Sequence, residues 1–345
     1  MKAIKSIQHI TLTGSPYAVG RGHGEQGKKE IHRSLETYEA LFKGYTGMKW
    51  KEVREKAMTH HDAIAAFRPA YLEEMQGIAD AAGVQFEDIL TLNARSEIAL
   101  TSTPDGCTSF AIQRGANTWL GQNWDWKGSQ IDALLDVHIE LEGKPNIRMI
   151  TEGGIIGKIG MNAAGIGVCL NALLTRTWQP KIPLHLSLRA VLESHSFEEA
   201  VAVVNGNVAS PAHFLIASRE GGMAGMEVSP IRTAMIEPVD GMVVHTNHIC
   251  QTQLQEVVAD FPIDDSVPRL QRMQTLLREM KEDVEQENLF HILADHHGYP
   301  DSICRHVNER NPAHTQMETV FSIVMCLTEG TFEYKVGHPC HAGVL

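Results

Sequence analysis

The sequence predicts an α+β protein in which antiparallel sheets are covered by helices. Three observations support this class. The first hundred residues have a largely helical pattern, short β-prone segments begin at Cys107, and two pairs of helices lie among these segments. Strands that follow one another directly do not form the βαβ units of a parallel sheet. The 345 residues suffice to bury one large core or two smaller ones.

The clearest helix of the N-terminal region is the segment RPAYLEEMQGIADAAG. Its apolar residues Leu72, Met75, Ala79 and Ala82 recur at helical spacing, and Gly83 predicts the end of the helix. The segment FEDILTLN predicts a short helix directly after it.

From Cys107 the apolar pattern changes to that of strands. Short runs bounded by Gly, Asn and Pro predict strands at CTSFAIQ, TWLGQNW, LLDVHIEL, IRMITEG and GIGVCLNAL. Helices follow at PLHLSLRAVLESH and SFEEAVAVV, where Ser196 and Glu199 have capping-box spacing. Strands resume at AHFLIAS, GMAGMEVS and GMVVHTNH, helices at RLQRMQTLLREM and ENLFHILADH, and a last hairpin runs from TVFSIVMCL to FEYKVG.

Composition limits the partners and the compartment. The net charge of −12 disfavours nucleic-acid binding. Six widely spaced cysteines without a CxxC pair indicate a reducing compartment, and the chain shows neither a signal peptide nor a membrane-spanning run. We therefore expect a soluble cytoplasmic protein.

The sequence predicts no metal site and no bound cofactor. GGIIGKIG lacks the spacing of a phosphate-binding loop and is typical of tight turns between strands. His245 and His248, and the Asp295 to His297 run, offer metal ligands, but spacing supplies no third partner.

The segment TPDGCTSFAI places Cys107 directly after Gly106, at the start of a predicted strand. Most free cysteines in such positions are small buried apolar residues. The alternative is a nucleophile that cuts its own chain: the Cys107 thiol attacks the Gly106 carbonyl, and water hydrolyses the thioester. The α-amine thus freed, with a pKa of about 7.7–8, can take the thiol proton at neutral pH. Asn171 and Asn247 are candidate oxyanion donors, although Asn at strand ends also forms turns.

The segments DGCTSF, GQNWDW, TEGGIIGKIGMNAAGIGVCLNAL, EVSP, HTNH and YPDSICR occur in this order in the acyl-coenzyme A:6-aminopenicillanic-acid acyltransferase family, which the chain resembles over nearly its whole length. GSPYAVGRGHG and LNARSEIA resemble the pro-segment of that family. Its members are N-terminal nucleophile (Ntn) hydrolases, so the resemblance implies a four-layer αββα sandwich. It also implies self-cleavage into a helical pro-segment, residues 1–106, and a catalytic part, residues 107–345, which stay together as one domain.

The resemblance also implies roles for individual residues. Cys107 matches the nucleophile, Asp125 the acid that orients the new terminus, and Asn247 the oxyanion donor. In the wider superfamily, Asn171 matches an asparagine near the oxyanion and Arg305 an arginine beside the nucleophile.

Two further positions concern maturation and substrate. Ser229 in EVSP matches a serine implicated in maturation. Penicillin-making members carry an arginine shortly before the last hairpin, where this chain has AHTQMETVF with Gln316 at the nearest position. This difference argues against penicillin-type acyl transfer and leaves the nucleophile set unchanged.

The function implied is a self-processing amidohydrolase or acyltransferase that takes an acyl group from an amide or an acyl-coenzyme A and passes it to water or an amine. Acyl-coenzyme A would be a co-substrate. The alternatives are a hydrolase of the penicillin V acylase or bile-salt type and, from another class, an inactive Ntn scaffold that binds a ligand. A zinc hydrolase is a further alternative, which metal analysis would test. The expected partners are a small molecule and the two fragments of the chain itself, with homo-oligomer formation left open.

Overall fold

The computed structural model describes residues 6–99, 106–281, 283–313 and 315–341. The predicted turn before Gly106 lies outside the described residues. Thirteen strands among the described residues form two sheets, one of eight strands in the order β1-β4-β5-β6-β7-β8-β9-β10 and one of five in the order β11-β2-β3-β12-β13. The strands are β1 Gln8–Thr13, β2 Gly106–Arg114, β3 Asn117–Trp126, β4 Leu134–Glu140, β5 Ile147–Glu152, β6 Ile159–Asn162, β7 Ile166–Ala172, β8 Ala212–Ser218, β9 Met223–Val228, β10 Thr233–Ile236, β11 Met242–His245, β12 Glu318–Cys326 and β13 Thr331–Val336.

Helices cover both outer faces of the two sheets. In chain order they are α1 Pro16–Gln26, α2 Lys28–Thr46, α3 Trp50–Met58, α4 His61–Phe67, α5 Pro69–Ala82, α6 Phe86–Asn93, α7 Arg95–Ala99, α8 Leu184–Leu192, α9 Phe197–Val203, α10 Thr252–Gln255, α11 Ser266–Arg278 and α12 Gln286–Leu293, with 3₁₀ turns at Gly128–Ala133 and Pro339–His341. None of the helices in the described parts of the chain is long and apolar enough to cross a membrane.

The buried side chains form a core on each side of both sheets. The central core lies between the sheets, and the helices α2, α3 and α5 to α7 add to it. A second core joins the eight-stranded sheet to α8 and α9. A third joins the five-stranded sheet to α11 and α12. This succession of helix, sheet, sheet and helix is the predicted four-layer αββα arrangement.

The side chains of β2 alternate between the two cores that lie on either side of the smaller sheet. Cys107 and Ala111 belong to the central core, whereas Phe110 and Ile112 belong to the core under α11 and α12. Successive side chains of a strand point to opposite faces, so the sulfur side of Cys107 faces the second sheet.

Close contact between α1 and α5 explains the glycine-rich start of the chain. A Cβ on Gly20 would lie 1.9 Å from the Glu74 carbonyl oxygen, and one on Gly77 would lie 2.3 Å from the Tyr17 carbonyl oxygen. Only glycine fits at such a helix crossing. The predicted helix end at Gly83 is confirmed, with this residue in the left-handed conformation at φ 76°.

The predicted helices and strands are present, and the structure adds three strands that the sequence pattern did not predict: β1, β6 and β10. The sheets are antiparallel except for one pair, because β1 runs parallel to β4 at the edge of the larger sheet. The final hairpin turns where predicted, with Gly330 at φ 73°.

Candidate active site

Cys107 lies at the start of β2, between β11 and β3, and its side chain is buried. Its backbone N–H donates a hydrogen bond of 2.9 Å to Asn247 Oδ1. Its carbonyl oxygen accepts a hydrogen bond of 2.7 Å from Arg269 Nη1. The backbone of the predicted nucleophile is therefore held on both sides by buried polar side chains.

Asn247 follows β11 and has a side-chain orientation that its neighbours fix. Oδ1 accepts from the Cys107 N–H and from Arg269 Nη2 at 2.9 Å, while Nδ2 donates to the Ala172 carbonyl at 3.1 Å. Rotating the amide by 180° would turn Nδ2, which is a donor, toward the N–H groups of Cys107 and Arg269. The oxygen therefore faces the nitrogen of Cys107, and the predicted oxyanion role would fall to the second hydrogen on Nδ2.

Asp125 lies directly beside the bond between Gly106 and Cys107. It pairs with Gly106 across β2 and β3, and a Cβ on Gly106 would lie 3.0 Å from Asp125 Oδ2 and 3.1 Å from Arg305 Nε. Thr319 Oγ1 donates to Asp125 Oδ1 at 2.8 Å. Burial raises the pKa of the Asp125 carboxyl above its ordinary value, and the charges of Arg305 and Arg269 oppose that rise.

Arg305 is buried and binds carboxylates in three directions. Its Nε donates to Asp125 Oδ2 at 3.3 Å, Nη1 donates to Asp301 Oδ1 at 2.7 Å, and Nη2 donates to Asp265. Its backbone N–H donates to Thr319 Oγ1, the same hydroxyl that donates to Asp125. Arg305 thus reaches the nucleophile through Asp125.

Arg269 is a site residue that the sequence analysis missed. It is 2% exposed, donates to the Cys107 carbonyl and to Asn247, and contacts Asp265 Oδ2 through Nε at 2.5 Å. Burial would raise the pKa of Asp265, but the charges of Arg269 and Arg305 hold it below its usual value. A signal was present, because Arg269, Met273 and Leu277 recur every four residues on the buried side of α11.

Asn171 belongs to β7 of the larger sheet, which lies against the face of β2 that carries the Cys107 side chain. Its Oδ1 accepts from Ser109 Oγ at 2.6 Å and contacts His213 Nδ1 at 3.0 Å, and its Nδ2 donates to the His245 carbonyl at 3.4 Å. Ser109 lies two residues after Cys107 and therefore on the same face of β2. The side chain of Asn171 ties β7 to β2 and β11 beside the nucleophile.

Two further predicted residues lie in turns. The Ser229 hydroxyl donates to the Arg232 carbonyl at 2.8 Å and accepts from the Ile231 and Arg232 N–H groups, so these bonds stay within its own turn. Gln316 Nε2 donates to the Asn311 carbonyl at 3.0 Å, and the Gln316 carbonyl accepts from Lys127 Nζ. Lys127 directly follows β3, the strand that carries Asp125.

A cavity near the start of α5 is separate from this group. It has a volume of about 770 Å³, and Tyr71, Glu74 and Arg189 are among its lining residues. None of the predicted site residues lines it. The candidate active site is therefore defined by the buried hydrogen-bond network around Cys107.

Comparisons with known proteins agree with the family resemblance of the sequence motifs. Residues 112–340 match the family described as acyl-coenzyme A:6-aminopenicillanic acid acyl-transferase. The chain is 33% identical over 337 residues to the 40 kDa form of the acyl-coenzyme A:6-aminopenicillanic-acid-acyltransferase of Emericella nidulans, covering 96% of this chain and 93% of the relative. The resemblance predicted from the sequence motifs is confirmed.

Solved structures are also similar to the chain. A variant of the conjugated bile acid hydrolase from Clostridium perfringens superposes with a TM-score of 0.50 at 16% identity, over 67% of this chain and 89% of that chain. Penicillin V acylase from Agrobacterium tumefaciens superposes with a TM-score of 0.44 at 14% identity, over 67% of this chain and 83% of that chain. At 16% identity the first likeness shows the fold alone.

Proposed function

The chain belongs to the acyl-coenzyme A:6-aminopenicillanic acid acyl-transferase family, and we propose that it is a self-processing enzyme whose Cys107 carries the transferred acyl group. The observation that carries the proposal is the hydrogen bond from the Cys107 backbone N–H to Asn247 Oδ1. It holds in place the nitrogen atom that must first leave as an amine and then act as a base. In a core strand this N–H would normally bond to the backbone of a neighbouring strand, whereas here its acceptor is a side-chain amide.

Maturation starts at the peptide bond between Gly106 and Cys107. The Cys107 sulfur attacks the Gly106 carbonyl carbon, a C–S bond forms, the C–N bond breaks, and the thiol proton passes to the leaving amine. Water then hydrolyses the thioester to the Gly106 carboxylate and the Cys107 thiol. Gly106 is packed against Asp125 and Arg305, so these charged groups lie beside the bond that breaks.

Turnover uses the amine that maturation creates. The free α-amine has a pKa of about 7.7–8 and takes the thiol proton when sulfur attacks the substrate carbonyl. Asn247 Oδ1 keeps the amine oriented, and the second hydrogen on Nδ2 stabilises the oxyanion. The acyl group stays on sulfur while the first leaving group departs with the proton. Water or a second amine then releases it.

For the substrate class, we propose that simple N-acyl amides without a free carboxylate are hydrolysed. The neutral Gln316 supports this choice, because its side chain binds the Asn311 carbonyl and offers no charge to a substrate carboxylate. The competing function is acyl transfer from acyl-coenzyme A to an amine, which the similarity to the Emericella nidulans acyltransferase favours. Both functions use the same cysteine.

The mass of the purified chain tests maturation. We expect two fragments, residues 1–106 and 107–345, and one uncut chain for Cys107→Ala. Cys250→Ser is the matched control, because Cys250 is an exposed cysteine elsewhere and its variant should be cut like the wild type. Cleavage of Cys107→Ala at the same bond would contradict the mechanism. A cut protein that turns over no acyl amide and no acyl-coenzyme A would instead support an inactive scaffold.

A further inference from the structure

Four side chains with metal-binding atoms meet at the C-terminal end of the described chain. His296, Cys304 and His306 come from the segment after α12, and Cys340 comes from the 3₁₀ turn Pro339–His341. One ligand atom from each residue lies within 4.8 Å of the other three. This group, called the Cys₂His₂ cluster below, shares no residue with the network around Cys107.

The spacing of the cluster matches tetrahedral zinc. The two imidazole Nε2 atoms are 3.1 Å apart, and His306 Nε2 lies 3.6 Å from both Cys304 Sγ and Cys340 Sγ. A tetrahedral ion with Zn–N of about 2.0–2.1 Å and Zn–S of about 2.3 Å places two nitrogens about 3.3 Å apart and a nitrogen about 3.6 Å from a sulfur. We propose that the Cys₂His₂ cluster binds one Zn²⁺ ion.

The cluster is held by contacts other than those between its ligands. The Cys304 N–H donates to the Asp295 carbonyl at 3.0 Å, and the His306 N–H donates to the Pro300 carbonyl at 2.9 Å. The ring of His338 stacks on His306 with centroids 4.1 Å apart and planes 5° from parallel. These bonds fix the loop before an ion arrives, as a specific site requires.

A second group of metal-binding side chains does not form such a site. Glu227, His245 and Cys250 also come within 4.8 Å. However, Glu227 Oε1 already accepts from His245 Nε2 and the Cys250 N–H, and Oε2 accepts from the Gln251 N–H. His245 Nδ1 faces the Thr246 carbonyl at 2.8 Å. Both nitrogens of His245 face oxygen acceptors and therefore carry hydrogens, so this imidazole offers no lone pair to an ion.

Four protein ligands leave no position for water or substrate, which is the pattern of a structural zinc site. Such a site would join the C-terminal turn to the loop that carries Arg305, because Cys304 and His306 flank this residue in the chain. Arg305 in turn binds Asp125 beside the nucleophile. The ion would therefore hold the loop that delivers Arg305, without touching the reacting atoms.

Metal analysis of the full chain, purified under reducing conditions without chelator, tests the site. We expect one zinc per chain, and expect added Co²⁺ to give the visible absorption of a tetrahedral thiolate complex. His296→Ala and Cys340→Ser should weaken zinc binding by more than the 10–100-fold typical of losing an outer partner. The matched controls His297→Ala and Cys250→Ser should keep full zinc. Cys107→Ala should also keep it, which separates this proposal from the function of the nucleophile.

Three results would overturn the site. One is a reduced wild-type chain that neither contains zinc nor binds added ZnCl₂ with micromolar affinity. Another is zinc retained at full stoichiometry by the His296→Ala/Cys340→Ser double variant, whose fold should stay intact because His296 is exposed. A disulfide between Cys304 and Cys340 in the freshly reduced protein, seen as a loss of two hydrogens by mass, would equally exclude the ion.

Discussion

The backbone nitrogen of Cys107 lies 2.9 Å from the side-chain oxygen of Asn247, at the boundary between two strands of the smaller sheet. Arg269 binds both partners, since it donates to the Cys107 carbonyl and to the same Asn247 oxygen. The three residues come from β2, the segment after β11, and α11. Because the three are in mutual contact, replacing one of them should disturb the other two.

Replacing Asn247 with alanine should lower kcat about 10²–10³-fold, the usual cost of losing an oxyanion donor. The protein should still fold. Removing the Asn247 side chain leaves a small cavity, in which water can bind the three polar groups that the side chain contacted. Steady-state kinetics on an N-acyl amide without a carboxylate measures the effect. Asn117→Ala, a change at the far end of the β2–β3 hairpin, is the control. A loss below threefold would mean that Asn247 only shapes the turn.

Replacing Gly106 with alanine should slow self-cleavage about 10–100-fold, because small displacements of reacting groups have effects of that size. The added Cβ would lie 3.0 Å from Asp125 and 3.1 Å from Arg305, so the bond to be cut must move away from them. Time-resolved mass analysis of freshly made protein gives the rate. Gly44→Ala is the matched control, since a Cβ there meets nothing within 4 Å. Equal cleavage rates for the two variants would rule out a positioning role for Gly106.

Replacing Arg269 with methionine should lower the free energy of unfolding by about 3–5 kcal/mol, as expected when one member of a buried charged group is removed. It should also lower kcat at least about tenfold with little change in KM, because Cys107 and Asn247 lose their common donor. Arg269→Lys should recover stability better than kcat, since the three hydrogens of one ammonium cannot replace bonds to four acceptors: Asp265, the Cys107 carbonyl, Thr108 and Asn247. Arg278→Met, an exposed change on the same helix, should be neutral. A Lys variant with full kcat would reduce Arg269 to a structural residue.

The buried carboxyl group of Glu97 should make the stability of the protein depend on pH. Burial raises the pKa of its carboxyl to about 7, although the Leu184 N–H and the Ser210 hydroxyl donate to Oε1. The folded state therefore holds the proton more tightly than the unfolded state, whose pKa is about 4.3. The contribution of Glu97 to the free energy of unfolding is fully present below the pKa of the unfolded state and is lost as the pH rises to about 7.

The measurement compares Glu97→Gln with its parent at pH 4 and pH 8, both in the uncut Cys107→Ala chain. The stability of the variant relative to its parent should rise by about 3 kcal/mol between the two pH values. Comparing two pH values cancels the constant packing cost of the amide. The exposed Glu198→Gln is the control and should show no such rise. A flat difference for Glu97→Gln would show that this carboxyl stays ionised in the folded protein.

Sequence patterns captured the elements whose burial is periodic and missed those that depend on pairing. The stripe of Leu72, Met75, Ala79 and Ala82 predicted α5, because a helix buries one face whatever its neighbours are. The strand β1 has only two buried residues, and its place beside β4 is set by a parallel partner more than a hundred residues away. Such pairing leaves no local signal.

The same limit applies to the sites. Cys107 and Asp125 were predicted because they lie in short matched segments, and the fold places Asp125 directly beside Gly106. Arg269 was missed because a charged residue on a helix is normally solvated, and only its buried carboxylate and carbonyl partners reverse that expectation. The Cys₂His₂ cluster could not be seen from spacing, since His306 and Cys340 are 34 residues apart.

The substrate prediction depends on Gln316. We expect kcat/KM for the pair of an acyl-coenzyme A and 6-aminopenicillanic acid to be lower than for simple N-acyl amides that carry no carboxylate. The reason is that Gln316 supplies a neutral amide already bound to the Asn311 carbonyl, where an arginine could pair with a carboxylate. Gln316→Arg should raise kcat/KM for the coenzyme A pair about tenfold, the value of one charge-assisted hydrogen bond. Gln76→Arg adds the same charge on the exposed side of α5 and should change nothing. A wild-type enzyme that already prefers the coenzyme A pair would show that Gln316 does not set the substrate class and that acyl transfer is the reaction.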